Sequence, residues 1–148
     1  MPMSSEPSLN NLKVFVYGTL KPGEVNYRRY CAKKVIETKP AIAFGQLFDL
    51  PLGYPAMTLG ESPVQGFLLT FADPTILSIL DELEDYDPHR RPEENEYYRQ
   101  QLEIYDVAGQ ELGIAWVYLM TVELIQQLDG ILVPSGAWSG YVDTFTPD

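Results

Sequence analysis

The chain has 148 residues, 45% of them hydrophobic and 12% aromatic, which suffices to bury one substantial core and rules out a disordered chain. Lys plus Arg number 10 against 21 Asp plus Glu, a formal charge of −11. That balance excludes partners that require a basic face, so neither nucleic acid nor an anionic membrane surface is expected. The single cysteine, Cys31, cannot close an internal disulfide, and no apolar run is long enough to span a bilayer. The opening MPMSSEPSLNN lacks the charged and apolar regions of a signal peptide, so the expected location is the cytoplasm.

In chain order, residues 1–11 are expected to be a flexible lead-in, with one domain over 12–148. Leu12 to Tyr17 reads as a near-continuous apolar strand, covered on both faces. It runs into Gly18-Thr19-Leu20, and the chain turns again at Pro22-Gly23. Residues 24–34, EVNYRRYCAKK, form a candidate short helix with Tyr27 and Tyr30 about one turn apart. The stretch 41–50, AIAFGQLFDL, is strand-like with Gly45 at its centre, and Pro51, Gly53 and Pro55 mark an irregular loop. Val64 to Phe71 is a further strand with an interior Gly66.

Asp73 as N-cap and Pro74 at the first helical position open a helix expected to reach about Asp85. A polar loop, DPHRRPEENE, follows to Glu96. Tyr97 to Val107 and Gly113 to Met120 form an expected hairpin around Ala108-Gly109-Gln110. Thr121 to Leu128 reads as a short helix. Turn residues Pro134-Ser135-Gly136 and the aromatics Trp138 and Tyr141 follow. There is no repeat, low-complexity tract or internal linker. Five or more strands with two or three short helices indicate an α+β fold. Mid-strand glycines favour a bent, barrel-like sheet over a flat one.

Several chemistries can be set aside. One histidine and one cysteine make no metal cluster, so no metal is expected. Gly18 and Gly23 match neither a dinucleotide fingerprint nor a Walker loop. Cys31 reads as a small core residue and His89 as a solvated loop residue. The helix from Pro74 is more informative. At 100° per residue, Ile76, Leu77, Ile79, Leu80, Leu83 and Tyr86 share one arc, with Asp81, Glu82 and Asp85 outside it. Glu84 alone of these carboxylates falls inside, about 20° from Leu77 and about 40° from Leu80 in projection. Periodicity leaves two readings open. Glu84 either ends a frayed helix in solvent, or it is a carboxylate held against an apolar wall and able to move protons near neutral pH.

The VFVYGTL segment, the LDELEDY helix end and the YYR that opens the next strand, in that order, resemble the gamma-glutamylcyclotransferase-like superfamily. The PSGAWSGY tail is similar to that family's closing segment. The resemblance spans most of the chain and implies a small mixed β-barrel flanked by short helices, an α+β fold with one cavity. It implies that Tyr17, Gly18, Thr19 and Leu20 bind substrate and that Glu84 is catalytic. By motif position it also gives Tyr98, Arg99 and Tyr118 substrate-binding roles. One departure stands out: the family commonly has glycine directly after the glutamate, where this chain has Asp85. The 87–96 loop is also long and charged, which leaves the leaving group unassigned.

A strand ending in Gly18-Thr19-Leu20 frees consecutive backbone N–H groups, which glycine can gather into an anion-binding nest. The other reading is an ordinary strand exit with Thr19 bonding its own backbone. The reaction implied by the resemblance is cyclisation of a γ-glutamyl amide to 5-oxoproline with release of an amine. It needs a small-molecule γ-glutamyl substrate and no cofactor. Two alternatives remain: a non-catalytic γ-glutamyl-ligand-binding or interaction protein, or an enzyme of this fold acting on another acyl or amide bond. Oligomeric state is not legible.

Overall fold

The structure, a computed structural model, describes residues 11–24, 26–91 and 94–138, with only the backbone of Arg28 and Arg29. Residues 1–10 of the expected lead-in and Tyr141 lie outside this set. Seven strands form one sheet: β1 (Leu12–Val16), β2 (Val35–Asp49), β3 (Pro55–Leu59), β4 (Ser62–Phe71), β5 (Tyr98–Tyr105), β6 (Glu111–Leu119) and β7 (Ile131–Leu132). Two short helices accompany them, α1 (Ile76–Leu83) and α2 (Val122–Gln127). A single π-helical turn covers Tyr27–Cys31 where a short helix is expected.

The strand order β3-β2-β4-β1-β6-β5 is closed by one further pairing, Ile42 of β2 against Tyr105 of β5. The curled sheet is therefore a loosely closed mixed barrel in an α+β fold. The β1–β6 pair is parallel and the other pairs are antiparallel. Close curling depends on Gly66: a Cβ there would stand 2.1 Å from the Val16 carbonyl oxygen. Only a residue without a side chain lets β4 approach β1 so closely.

The first strand is buried on both faces but for the partly exposed Lys13, as its near-continuous apolar run predicts. Phe15 and Tyr17 pack with Ala41, Ala43, Leu68, Ile104 and Val117, residues drawn from all the strands around the ring. Val14 and Val16 face the other way and pack with Ile76 and Leu80 of α1 and Ile125 of α2. Cys31 is fully buried in this second cluster, and burial pushes its thiol up to about 11. His89 is exposed.

Three boundaries differ from expectation. Strand β2 begins at Val35 rather than residue 41, because its first residues are exposed and carry no alternating pattern, yet still pair with β4. Strand β3 occupies part of the expected loop. Pro55 is its first residue, where a missing N–H is tolerated, and the strand pairs with β2 from Asp49 back to Gly45. Helix α1 begins at Ile76 after a tight turn, in which the Asp73 carboxylate accepts from the Thr75 N–H at 3.0 Å and hydroxyl at 2.8 Å. Ile79, expected on the apolar arc, is exposed. No helix among the described residues is long and apolar enough to cross a membrane.

Candidate active site

The first wall of the site is the exit from β1. Its first residue, Gly18, does not take a positive φ. Its smallness serves packing. A Cβ on Gly18 would lie 2.7 Å from Cγ of Pro55, the residue that starts β3. The turn is closed behind by Lys21 N–H donating to the Gly18 carbonyl at 3.0 Å and Asn26 N–H to the Thr19 carbonyl at 2.9 Å. The Asn26 amide also donates to the Thr19 hydroxyl oxygen at 2.9 Å, which leaves the hydroxyl proton free. Among the described residues, the N–H groups of Gly18, Thr19 and Leu20 donate to no partner. Lys21 reaches away from the turn, its ammonium donating to the Trp138 carbonyl.

The opposite wall is the C-terminal end of α1. Glu84 is the C-cap, Asp85 follows with φ 57°, and Tyr86 N–H donates back to the Asp81 carbonyl at 2.9 Å. With Asp85 N–H on the Glu82 carbonyl at 3.2 Å, this is a Schellman motif whose left-handed position favours glycine. Asp85 occupies that position at a cost of about 1 kcal/mol. The motif ends the helix abruptly and holds Glu84 half-buried at its tip.

Between the walls lies a cavity of about 220 Å³, lined by Phe15, Tyr17, Gly18, Thr19, Leu20, Asn26, Tyr54, Pro55, Glu84, Glu96, Tyr97 and Tyr118 among others. Desolvation pushes the Glu84 carboxyl up to about 8, and the nearby Glu96 adds to the shift. Among the described residues, no lysine, arginine or histidine lines the cavity.

Four tyrosines line this cavity, and each commits its hydroxyl proton to the protein. Tyr17 donates to the Tyr118 carbonyl at 2.6 Å, and Tyr97 to the Pro55 carbonyl at 2.7 Å. Tyr54 donates to Glu96 at 2.5 Å, and Tyr118 to Asp81 at 2.7 Å. Burial in each case raises the phenol's pKa well above its ordinary value. A ligand therefore meets these hydroxyls only as acceptors. Donors come from the 18–20 turn, and acceptors and negative charge from the facing tyrosines and glutamates. This polarity complements a group with a carboxylate at one end and an amine near it.

The structure brings Tyr17, Gly18, Thr19, Leu20, Glu84 and Tyr118 to one cavity. Tyr98 and Arg99 are not among its lining residues. Tyr98 packs against the barrel-interior cluster. Arg99 pairs with Asp81, Nε to Oδ1 at 2.8 Å and a terminal nitrogen to Oδ2 at 3.2 Å. Its guanidinium lies 4.4 Å from the Trp116 ring centroid and 5.2 Å from that of Tyr86. Because Asp81 also receives the Tyr118 hydroxyl, Arg99 supports the cavity wall from behind.

Sequence reasoning missed Asp81, Tyr54, Glu96 and Tyr97. Asp81 lies off the apolar arc of α1, and nothing local signals that β5 and β6 cover that side. Tyr54 and Glu96 sit in segments read as loop, where polar residues are ordinary.

Residues 14–140 match the family described as Gamma-glutamyl cyclotransferase, AIG2-like. The Gamma-L-glutamyl-butirosin B gamma-glutamyl cyclotransferase of Niallia circulans is 33% identical over 105 residues, 71% of this chain; the match spans 65% of that protein's length. A Vibrio cholerae protein provisionally named a gamma-glutamylcyclotransferase is 34% identical over 128 residues, covering 84% of this chain and 93% of the relative. Among solved structures, the crystal structure of an AIG2-like protein from Mus musculus superposes with a TM-score of 0.68 at 19% identity, covering 94% of this chain and 97% of that one. The chain belongs to the gamma-glutamyl cyclotransferase, AIG2-like family.

Proposed function

We propose that the protein is a cyclotransferase that closes a γ-glutamyl amide to 5-oxoproline and releases an amine. Glu84 is its base and acid. The observation that carries this reading is the Glu84 carboxyl, pushed up to about 8, facing the undonated N–H groups of residues 18–20 across one cavity. A group with that pKa accepts and returns protons near neutral pH with little penalty in either direction.

In the proposed reaction the substrate's α-carboxylate takes hydrogen bonds from the 18–20 turn and the Thr19 hydroxyl. The α-ammonium then lies on the acceptor side, where Glu84 removes a proton. The freed amine attacks the γ-carbonyl carbon, a new N–C bond closes the five-membered ring, and the original C–N amide bond breaks. Two protons leave the α-nitrogen overall and two arrive at the departing nitrogen, so an ammonium product leaves and no water is consumed. Because nucleophile and electrophile belong to one molecule, orientation supplies much of the acceleration. Tyr118, its proton held by Asp81, would accept from the amine and help aim it. Tyr98 and Arg99 have supporting roles in this scheme, Arg99 by fixing Asp81.

The decisive variant is Glu84→Gln, which keeps size and cannot act as a base. It is expected to stay folded and to lose 5-oxoproline release by about 10²–10⁴-fold. Mass spectrometry over γ-glutamyl amino acids, γ-glutamyl amines and glutathione identifies the product. Full turnover in the variant would remove Glu84 from the mechanism; a ligand bound without turnover in the native protein would favour a binding protein instead.

A further inference from the structure

An asparagine directly before a helical turn ordinarily spends its side chain on the turn's unpaired N–H groups. Asn26 precedes the Tyr27–Cys31 turn with φ −85° and ψ −15°, yet its side chain makes no capping bond. It reaches back to a residue seven positions earlier, where Nδ2 donates to the Thr19 hydroxyl oxygen at 2.9 Å. The main-chain N–H of Asn26 donates to the Thr19 carbonyl, also at 2.9 Å. One residue thus holds Thr19 by both main chain and side chain, and both residues line the cavity. A hydroxyl carries one proton and two lone pairs, whereas an amide NH2 group only donates. With Nδ2 on one lone pair, the Thr19 proton has to point away from Asn26. A carboxylate can be held by a hydroxyl only through that proton, and lone pairs turned toward it would repel it.

We propose that Asn26 is a positioning residue: by donating to Thr19 it fixes that hydroxyl as a donor toward the α-carboxylate of the substrate. This rests on the cyclotransferase reading above. Asn26 acts on the substrate only through Thr19, so its contribution passes along a single hydrogen bond. Replacing the amide by a carboxylate of the same size reverses that bond. A carboxylate only accepts, so it draws the Thr19 proton to itself and leaves a lone pair facing the ligand.

Two substrates test the role: γ-glutamyl-n-butylamide, and the same amide with an α-carboxamide in place of the α-carboxylate. The native protein is expected to favour the carboxylate by about tenfold or more in kcat/KM. Asn26→Ala keeps the main-chain bond to Thr19. It should raise KM for the carboxylate about five- to twentyfold with kcat within about threefold, the pattern of lost uniform binding. Thr19→Val should do the same, and the double variant should be within about twofold of Thr19→Val alone, since both changes remove one contact. Asn26→Asp should narrow the acid-to-amide ratio about fivefold more with the Thr19 hydroxyl present than in the Thr19→Val background, where only the added charge acts. That ratio is taken on one protein, so a loss of stability common to both substrates cancels. A native ratio near one overturns the role. So do additive losses in the double variant, or an Asn26→Asp effect equal in both backgrounds. If the native protein releases no 5-oxoproline from the carboxylate, the cyclotransferase reading fails, and calorimetric binding of the same two amides carries the same comparisons. Non-additive losses of affinity then keep the role of Asn26; additive losses, or no binding at all, overturn it.

Discussion

Two carboxylates three residues apart, Asp81 in α1 and Glu84 at its C-cap, meet opposite environments. Asp81 points toward β5 and β6, where it takes two hydrogen bonds from Arg99 and one from Tyr118. Side-chain exposure is 13% for Asp81 and 17% for Arg99, so each has given up most of its water for the other. Glu84, at the helix tip, meets a second carboxylate instead of a cation, and burial raises its pKa to about 8. The same residue class at the end of one short helix is thus ion-paired at one position and left without a cationic partner among the cavity-lining residues described at the other. What separates them is the presence of a guanidinium, not the degree of burial alone.

The largest effect expected from breaking this contrast is functional. Glu84→Gln should abolish 5-oxoproline release while leaving the circular dichroism spectrum and melting temperature close to native or higher. Asp81→Asn should do the reverse in kind. It leaves the Arg99 charge without its counter-ion and is expected to cost about 1–3 kcal/mol of stability, seen as a lower urea midpoint. Equal destabilisation by both variants would erase the distinction.

The pH dependence sharpens it further. The Glu84 pKa is raised in the folded protein, so folding is unpenalised below the ordinary carboxyl value near 4.5. As pH climbs from there through about 8, the unfolded chain ionises first, and stability is lost across that window. Melting curves of native protein and Glu84→Gln should therefore coincide near pH 4 and separate by pH 8, with the variant higher. Turnover moves the other way, with kcat/KM rising through about pH 8 as Glu84 becomes available as a base. The smallest effect belongs to the residue between the helix and its loop. Asp85→Gly should raise stability by up to about 1 kcal/mol by relieving the φ of 57°, offset in part by loss of the exposed Arg90 pair at 3.1 Å.

Much of the architecture was legible because β1, β4 and the 98–119 hairpin carry unbroken or alternating apolar patterns with turn residues between them. What escaped was structure without pattern. The exposed first residues of β2 are held by pairing with β4, and β3 by a short register with β2. At the site, helical projection singled out Glu84, though the residue caps the helix instead of lying within it. Projection also set Asp81 aside with the solvated carboxylates, since one helix's periodicity cannot reveal an arginine arriving from a strand 18 residues later. Glycine at position 18 was legible as special, but one reason for it was not: it accommodates the ring of Pro55, which only the folded chain brings near.

The C-terminal segment has a practical bearing on any handling of the protein. Trp138 anchors its indole N–H on Asp49 at 2.9 Å while its carbonyl receives Lys21, the residue directly after the 18–20 turn. Gly136 likewise accepts from the Gln65 N–H at 2.7 Å. A strap some 120 positions downstream thus steadies the bend at residues 18–20. Trimming the chain at Val133, or fusing a bulky tag close behind Trp138, should loosen affinity for substrate before it loosens the barrel.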